Sequence, residues 1–525
     1  MIENDDGDDY MSSDDEDFSY PSDIWKSFPQ KKIKSTTLKS LHNIALGNIC
    51  KNMGYWMEFL PTDPHKFLYV ISPFDVLSSK DTMAILSMLT EMHKFKPCYL
   101  NLIFHQHLLE MDFDILPNGW NYMKSMFNRC KRIKRLKVTN SKISKELIKR
   151  IPTSYPGIEE LNLGGPHQDL IDNLKNCCKL KSLHFTASSL SVLKITFPPE
   201  IQSLTMKHLA GDANDSDHLW SILNELKSLS RLSLHGSELH FSTLPDDIKF
   251  PNVKALDLSN CTGLTNQNLI SILEAVINIA DLNLNGLSCD DTKIFNSIEK
   301  LPNLLILKIA YLFVVFDNNV KFCLKTIGSQ LVTLDISGNL AIDIDFIRMH
   351  CPNLESLLLS QCTFLNPDFF EQRIIEDQLS QYSCTKLKKF ELDSVSLDII
   401  TDNTSNIEPI IGDGEFNSRI FDTLCQTVYK HFMSKSLIKS LKIGHGAFVD
   451  YILKHFEGTL LEYIDFSGCR GLKKEHIVKC LLKFPNLKQI DYFGCKILQS
   501  ERSYLNGLIF RAGIDVKCEG DFKFS

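Results

Sequence analysis

His105 and His107, one residue apart in the stretch FHQH, come nearest in this sequence to a metal site. Two imidazoles supply two nitrogen ligands, whereas zinc takes three or four from the protein, and no others are spaced to join them. The pair therefore reads as strand or turn residues. Sixteen cysteines are present, yet no C-x-x-C occurs, the spacing expected of a zinc site or a redox dithiol. They are expected to be reduced thiols packed as small hydrophobes. GDGE at 412–415 is a lone glycine–acid turn, and the chain holds no phosphate loop, G-x-G-x-x-G, H-E-x-x-H or G-x-S-x-G. The basic run RCKRIKRLK (129–137) would suit a nuclear-import signal or a nucleic-acid patch. Its Ile133 and Leu136 fall instead on the core slots of a repeat, which makes its bases an exposed repeat edge. These residue types and spacings point to binding rather than bond-making: no enzyme, no cofactor and no metal are expected.

The elements that would position such binding are written as repeats. From residue 133 onward one pattern recurs: an aliphatic, two other residues, an aliphatic, one other, an aliphatic, then often Asn, Cys or Ser three positions later. VKALDLSNCTGL (253–264), LESLLLSQCTFL (354–365), LEYIDFSGCRGL (461–472) and LKQIDYFGCKIL (487–498) are the clearest copies. Weaker ones start at Ile133, Ile158, Leu180, Ile201, Leu229, Ile279, Leu304, Leu331, Leu387 and Ile438. Most starts lie 21 to 28 residues apart, the leucine-rich-repeat period. Each L-x-L core is a short strand, and stacked copies make a parallel sheet lining the concave wall of a horseshoe. Cys261, Cys362, Cys469 and Cys495 fill an interior slot that otherwise holds Asn. Segments such as 265–276 and 473–484 have helical apolar spacing and should line the convex side. The expected class is α/β: a leucine-rich-repeat solenoid over 131–500 with an N-terminal helical module over 31–130 and a cap or tail over 501–525. Between Leu387 and Ile438 the spacing stretches to 51 residues, and the turn-rich segment 400–418 reads as an insertion before a helix around 419–433.

Charge is concentrated at the start. Residues 1–17 carry nine acids and no base, and removing them from the net −7 leaves +2, so the body demands neither nucleic acid nor membrane. Residues 1–30 read as a disordered acidic tail. The longest apolar run, 304–316, is interrupted by Lys308 and too short to span a bilayer. The start has no secretory pattern, so an intracellular protein, cytoplasmic or nuclear, is expected.

Ahead of the repeats, Leu38, Leu41, Ala45 and Ile49 recur at helical steps and form a stripe that must be covered. The stretch SLHNIALGNI (40–49) resembles the elongin-C-binding box, a Ser or Thr and Leu followed by Cys and an apolar residue at four-residue steps. Ser40, Leu41, Ala45 and Ile49 stand at its positions. FDVLSSKDTMAILSML (74–89) is similar to the cullin box of cullin-2-type receptors. Together with the repeats, these segments resemble the Zyg-eleven and Zer-one family of ubiquitin-ligase substrate receptors. The resemblance implies docking to elongin B/C through Ser40, Leu41, Ala45 and Ile49. It implies a cullin-2-type scaffold facing Val76, Leu77 and Ile85, and a protein client on the repeats. The sequence departs from the family at Ala45, where Cys is usual, and at Ser78, where Pro is usual. No armadillo segment follows the repeats, so the family's reading of N-terminal glycine is not carried over.

Three other readings of the N-terminus stand beside this one: a helix that only caps the solenoid, an F-box-type module, and a repeat scaffold with no ligase role. On the wall, the residues between the core aliphatics include Asp257, Asp335, Asp465 and Asp491 toward the C-terminal half. In the first repeats they include Arg135, Lys137, Lys207 and Arg231. The wall is therefore expected to run from basic to acidic, with the four aspartates either receiving a basic client segment or bracing the backbone.

Overall fold

The alternation of one residue in and one out holds for only three to five residues per repeat, and strands of that length form. The computed structural model describes residues 41–58, 73–139, 145–164, 174–186, 197–210, 213–240, 244, 248–288, 292–312, 317–364, 384–392, 396–397, 432–433, 437–444, 446–469, 471–497 and 499–517. Among these, sixteen strands make one open sheet in strict chain order, from Glu110–Asp112 to Asp515–Lys517, every neighbouring pair parallel. All fourteen repeats supply a strand. Their central aliphatics stand opposite one another, as in Leu232↔Leu256↔Leu282 and Leu307↔Leu334↔Leu357. The result is a leucine-rich-repeat solenoid.

The sheet outruns the expected 131–500 at both ends. Glu110–Asp112 pairs with Arg135–Lys137, so the last part of the 31–130 module belongs to the solenoid. Leu108, Met111 and Phe113 are buried there in the slots that aliphatics hold elsewhere. Asp515–Lys517 pairs with Gln489–Asp491, and with the helix Gln499–Arg511 it turns the expected cap into one more repeat. Lys389–Leu392 pairs directly with Ser440–Ile443, so the long spacing does not interrupt the sheet. The 400–418 insertion, the 1–30 tail and the 419–433 helix lie outside the described residues, apart from buried Phe432 and Met433.

Helices cover the other side of the sheet. Asn266–Ala275 starts where Thr265 and Asn268 satisfy each other's backbone N–H groups, and it buries Leu269, Ile272 and Leu273. Lys474–Lys483 likewise buries Ile477, Cys480 and Leu481. In the interior slot, the Sγ of Cys261, Cys362 and Cys495 donates to the carbonyls of Leu234, Ile336 and Phe466 at 3.1, 3.3 and 2.9 Å. Asn339 does the same with its amide, to Ile309 at 2.8 Å, which is why either residue serves. Burial pushes the Cys261 and Cys362 thiols up to about 12, so they are inert donors. No helix among the described residues is long and apolar enough to cross a membrane.

At the N-terminus, α1 (Leu41–Lys51) lies against α3 (Ser79–Glu91), and α2 (Met53–Glu58) packs on α1. Ser78, where the resemblance expects proline, caps α3 by accepting from the Asp81 N–H at 3.1 Å. Ser79 Oγ accepts from the Leu109 N–H at 2.8 Å, tying α3 to the first strand. One hydrophobic core runs unbroken from Leu46 to Ile514.

Candidate docking helix and strand-lined wall

α1 has two apolar stripes, and the structure distinguishes them. Leu46 and Cys50, four residues apart, turn inward, joined by Met53 at the start of α2, and Cys50 Sγ donates to the Ile85 carbonyl at 3.7 Å. The stripe singled out by sequence is split: Ala45 is exposed, while Ile49 is half-buried and packs against the core. Beside them Ile44 is 40% exposed, and Tyr55 is exposed on α2. Ser40 lies outside the described residues, as does the side chain of Leu41, which opens the helix. His42 Nε2 lies 3.0 Å from Asp81 Oδ1 and fastens α1 to the start of α3.

The expected cullin-facing set is corrected in one member. Val76, on the 3-10 turn Pro73–Val76, is 78% exposed, and Leu77 is half-buried against the core. Ile85 is 0% exposed: it sits on the inner face of α3 beneath α1 and has no surface to offer a partner.

On the wall, the strand register aligns the outward residues in two rows. At the N-terminal end the expected basic patch is neutralised. Arg135 Nε donates to Glu110 at 2.8 Å, Lys137 lies 3.0 Å from Asp112 and 3.4 Å from Asp114, and Lys134 pairs with Glu159 at 2.7 Å. Glu110, Asp112 and Asp114 come from the strand and turn that the repeat pattern missed. Toward the C-terminus, Asp335 and Asp491 are only 9% and 4% exposed. Asp335 accepts from Asn285 Nδ2 at 3.2 Å, and Asp491 accepts from the Tyr463 hydroxyl at 2.9 Å and from Gln489 Nε2. These two are satisfied from within, while Asp257 and Asp465 remain half-buried on the open face. Between the two ends the wall sinks into a depression lined by His184, Thr205, Arg231, Asp257, Asp281 and Lys308 among others. The sequence named several of these residues, but only the register brings them together.

His105 is buried, with Nε2 unpartnered among the described residues, and burial holds its imidazole below the ordinary range. Its Nδ1 accepts from the His107 N–H at 3.3 Å. No group of three or more His, Cys, Asp or Glu among the described residues is placed to hold a metal ion.

No protein-family model and no curated protein matches the chain. Among solved structures it is similar to the Rad7 and Elc1 complex in yeast, at 15% identity and TM-score 0.43, covering 91% of this chain and 97% of that one. It is also similar to the Leptospira interrogans LRR protein LIC12759, at 15% identity and TM-score 0.30 over 81% and 92% of the two chains. A third is the TLR13–ssRNA13 complex, at 14% identity and TM-score 0.36 over 78% and 65%.

Proposed function

We propose that the chain is the non-catalytic substrate-recognition subunit of a cullin-RING ubiquitin ligase, docking through α1 to elongin B/C and holding a protein client on the repeats. The observation that carries the reading is the two-faced α1. A helix that only capped the solenoid would need one apolar face, and Leu46 and Cys50 already supply it, with Met53 of α2 beside them. Ala45 and Ile44 are left over, apolar side chains exposed among the described residues, as a docking helix requires. Val76 adds exposed apolar surface for a cullin-2-type scaffold. The client would then be held near a charged conjugating enzyme at raised effective concentration.

The test is Ala45→Arg in a pull-down with purified elongin B/C. Ala45 is exposed, so the melting temperature should not move, while an arginine in an apolar contact should weaken binding about 30-fold or more. Undiminished capture with an unchanged melt would leave the chain a repeat scaffold with no docking helix.

A further inference from the structure

The central depression differs from both ends of the wall. Arg231, Asp257, Asp281 and Lys308 stand on four successive strands in the sign order plus, minus, minus, plus. Among the described residues, the side chains of Arg231, Asp281 and Lys308 make no direct ion pair and no hydrogen bond. Asp257 accepts from neutral groups, the Ser233 hydroxyl at 2.9 Å and the Ser259 N–H at 3.0 Å. Burial, opposed by the Lys308 ammonium, raises the Asp281 carboxyl above its ordinary value, and Asp257 pushes it the same way as burial. Ser203, Thr205 and Asn283 keep the floor low and offer groups to a peptide backbone. The four charges cancel, so the site has no field for a phosphate ladder, and a uniformly basic segment would meet Arg231 and Lys308.

We propose that this depression is the client subsite, and that it takes an extended peptide of the form acid–x–base–x–acid. The base sits between Asp257 and Asp281, and the acids meet Arg231 and Lys308. Arg231 shares a row with Asp281, and Lys308 shares the next row with Asp257, so three strand spacings across and one two-residue step along the strands separate the two cations by about 16 Å. Side chains at i and i+4 of an extended peptide lie about 13 Å apart, and the long Arg and Lys side chains lean in to close the difference. The two side chains between are on the opposite face and read nothing. This subsite rests on the reading that the wall holds a client.

Fluorescence anisotropy with the full chain and a labelled Asp-x-Lys-x-Asp peptide, x being Ser or Gly, tests it against the inverted Lys-x-Asp-x-Lys peptide. The first should bind at least tenfold more tightly and weaken as salt rises. Joint replacement Arg231→Glu and Lys308→Glu makes all four charges acidic. That variant should lose the first peptide at least tenfold and gain a Lys-x-Lys-x-Lys peptide, a switch that a misfolded chain could not produce. Equal affinity of the native chain for both peptides overturns the subsite, as does no affinity for the first while elongin B/C still co-purifies. Peptide binding with no co-purification of elongin B/C keeps the subsite and removes the receptor reading instead.

Discussion

Asp257, Asp335 and Asp465 hold one position in three repeats, and each reaches the backbone two residues ahead. Oδ1 accepts from the N–H of Ser259 at 3.0 Å, Ser337 at 3.2 Å and Ser467 at 2.7 Å. A short acid bonding its own i+2 amide is a turn device, so these aspartates recur without any ligand to explain them. The leucines between them do different work, since Leu256 and Leu357 are buried within the stacked core. Leu256→Ala and Leu357→Ala should each cost about 2 to 5 kcal/mol, whereas Asp257→Ala should cost about 1 kcal/mol, the net worth of a hydrogen bond. Urea melts followed by circular dichroism measure all three, and the opposite order would mean that the strands face the other way. The core residues were legible in sequence because only apolar side chains can fill those slots. Burial of Asp335 was not, because its partner Asn285 lies fifty residues away, two strands along the sheet.

The turn after each strand shows how an element depends on its neighbour. From His208 to Gln361 the same place in successive turns holds a residue at positive φ: His208, Gly236, Asn260, Gly286, Tyr311, Gly338 and Gln361, with Gly263 and Ala341 following three residues on in two of them. Glycine alternates with a larger residue, and the larger side chain occupies the space a Cβ on the next glycine would need. The His208 ring does so at Gly236, Asn260 at Gly286 and Tyr311 at Gly338. Gly468 has the same backbone, φ +73°, with nothing within 4 Å of a Cβ. Gly468→Ala should therefore cost only the left-handed backbone term, about 1 to 2 kcal/mol. Gly338→Ala should cost more, and a Tyr311→Ala background should bring it down to the Gly468 figure. Equal melts for the two alanine variants in the native background would show that the Tyr311 ring moves aside freely. Fourteen strands and the two quoted convex helices were legible because their apolar period is strict. The strand Glu110–Asp112 was not, since Met111 and Phe113 fill slots that an aliphatic pattern does not admit. On α1 the helical period fits several apolar residues, and only contacts such as that of Cys50 with the Ile85 carbonyl decide which of them are covered.

Across the whole molecule the core is continuous, so protonation anywhere along it loads a single folded body. His105 lies beside the helical module, His184 on the wall, and His350 and His476 on the covering helices. Burial lowers the affinity of all four for a proton. At His476 the Asp450 carboxylate, 3.0 Å from Nε2, opposes the shift without cancelling it. An imidazole kept neutral in the folded chain and free to charge at its ordinary value of about 6.5 in the unfolded chain makes unfolding take up protons. Stability is then complete above about pH 6.5 and declines as pH falls from there toward the lowered folded values. The melting temperature should be lower at pH 5 than at pH 7, with ionic strength held constant. His105→Asn keeps an acceptor for the His107 N–H but cannot titrate, and it should flatten part of that decline. A melting temperature that holds or rises on acidification, or a His105→Asn variant with the full native slope, would place the proton uptake elsewhere.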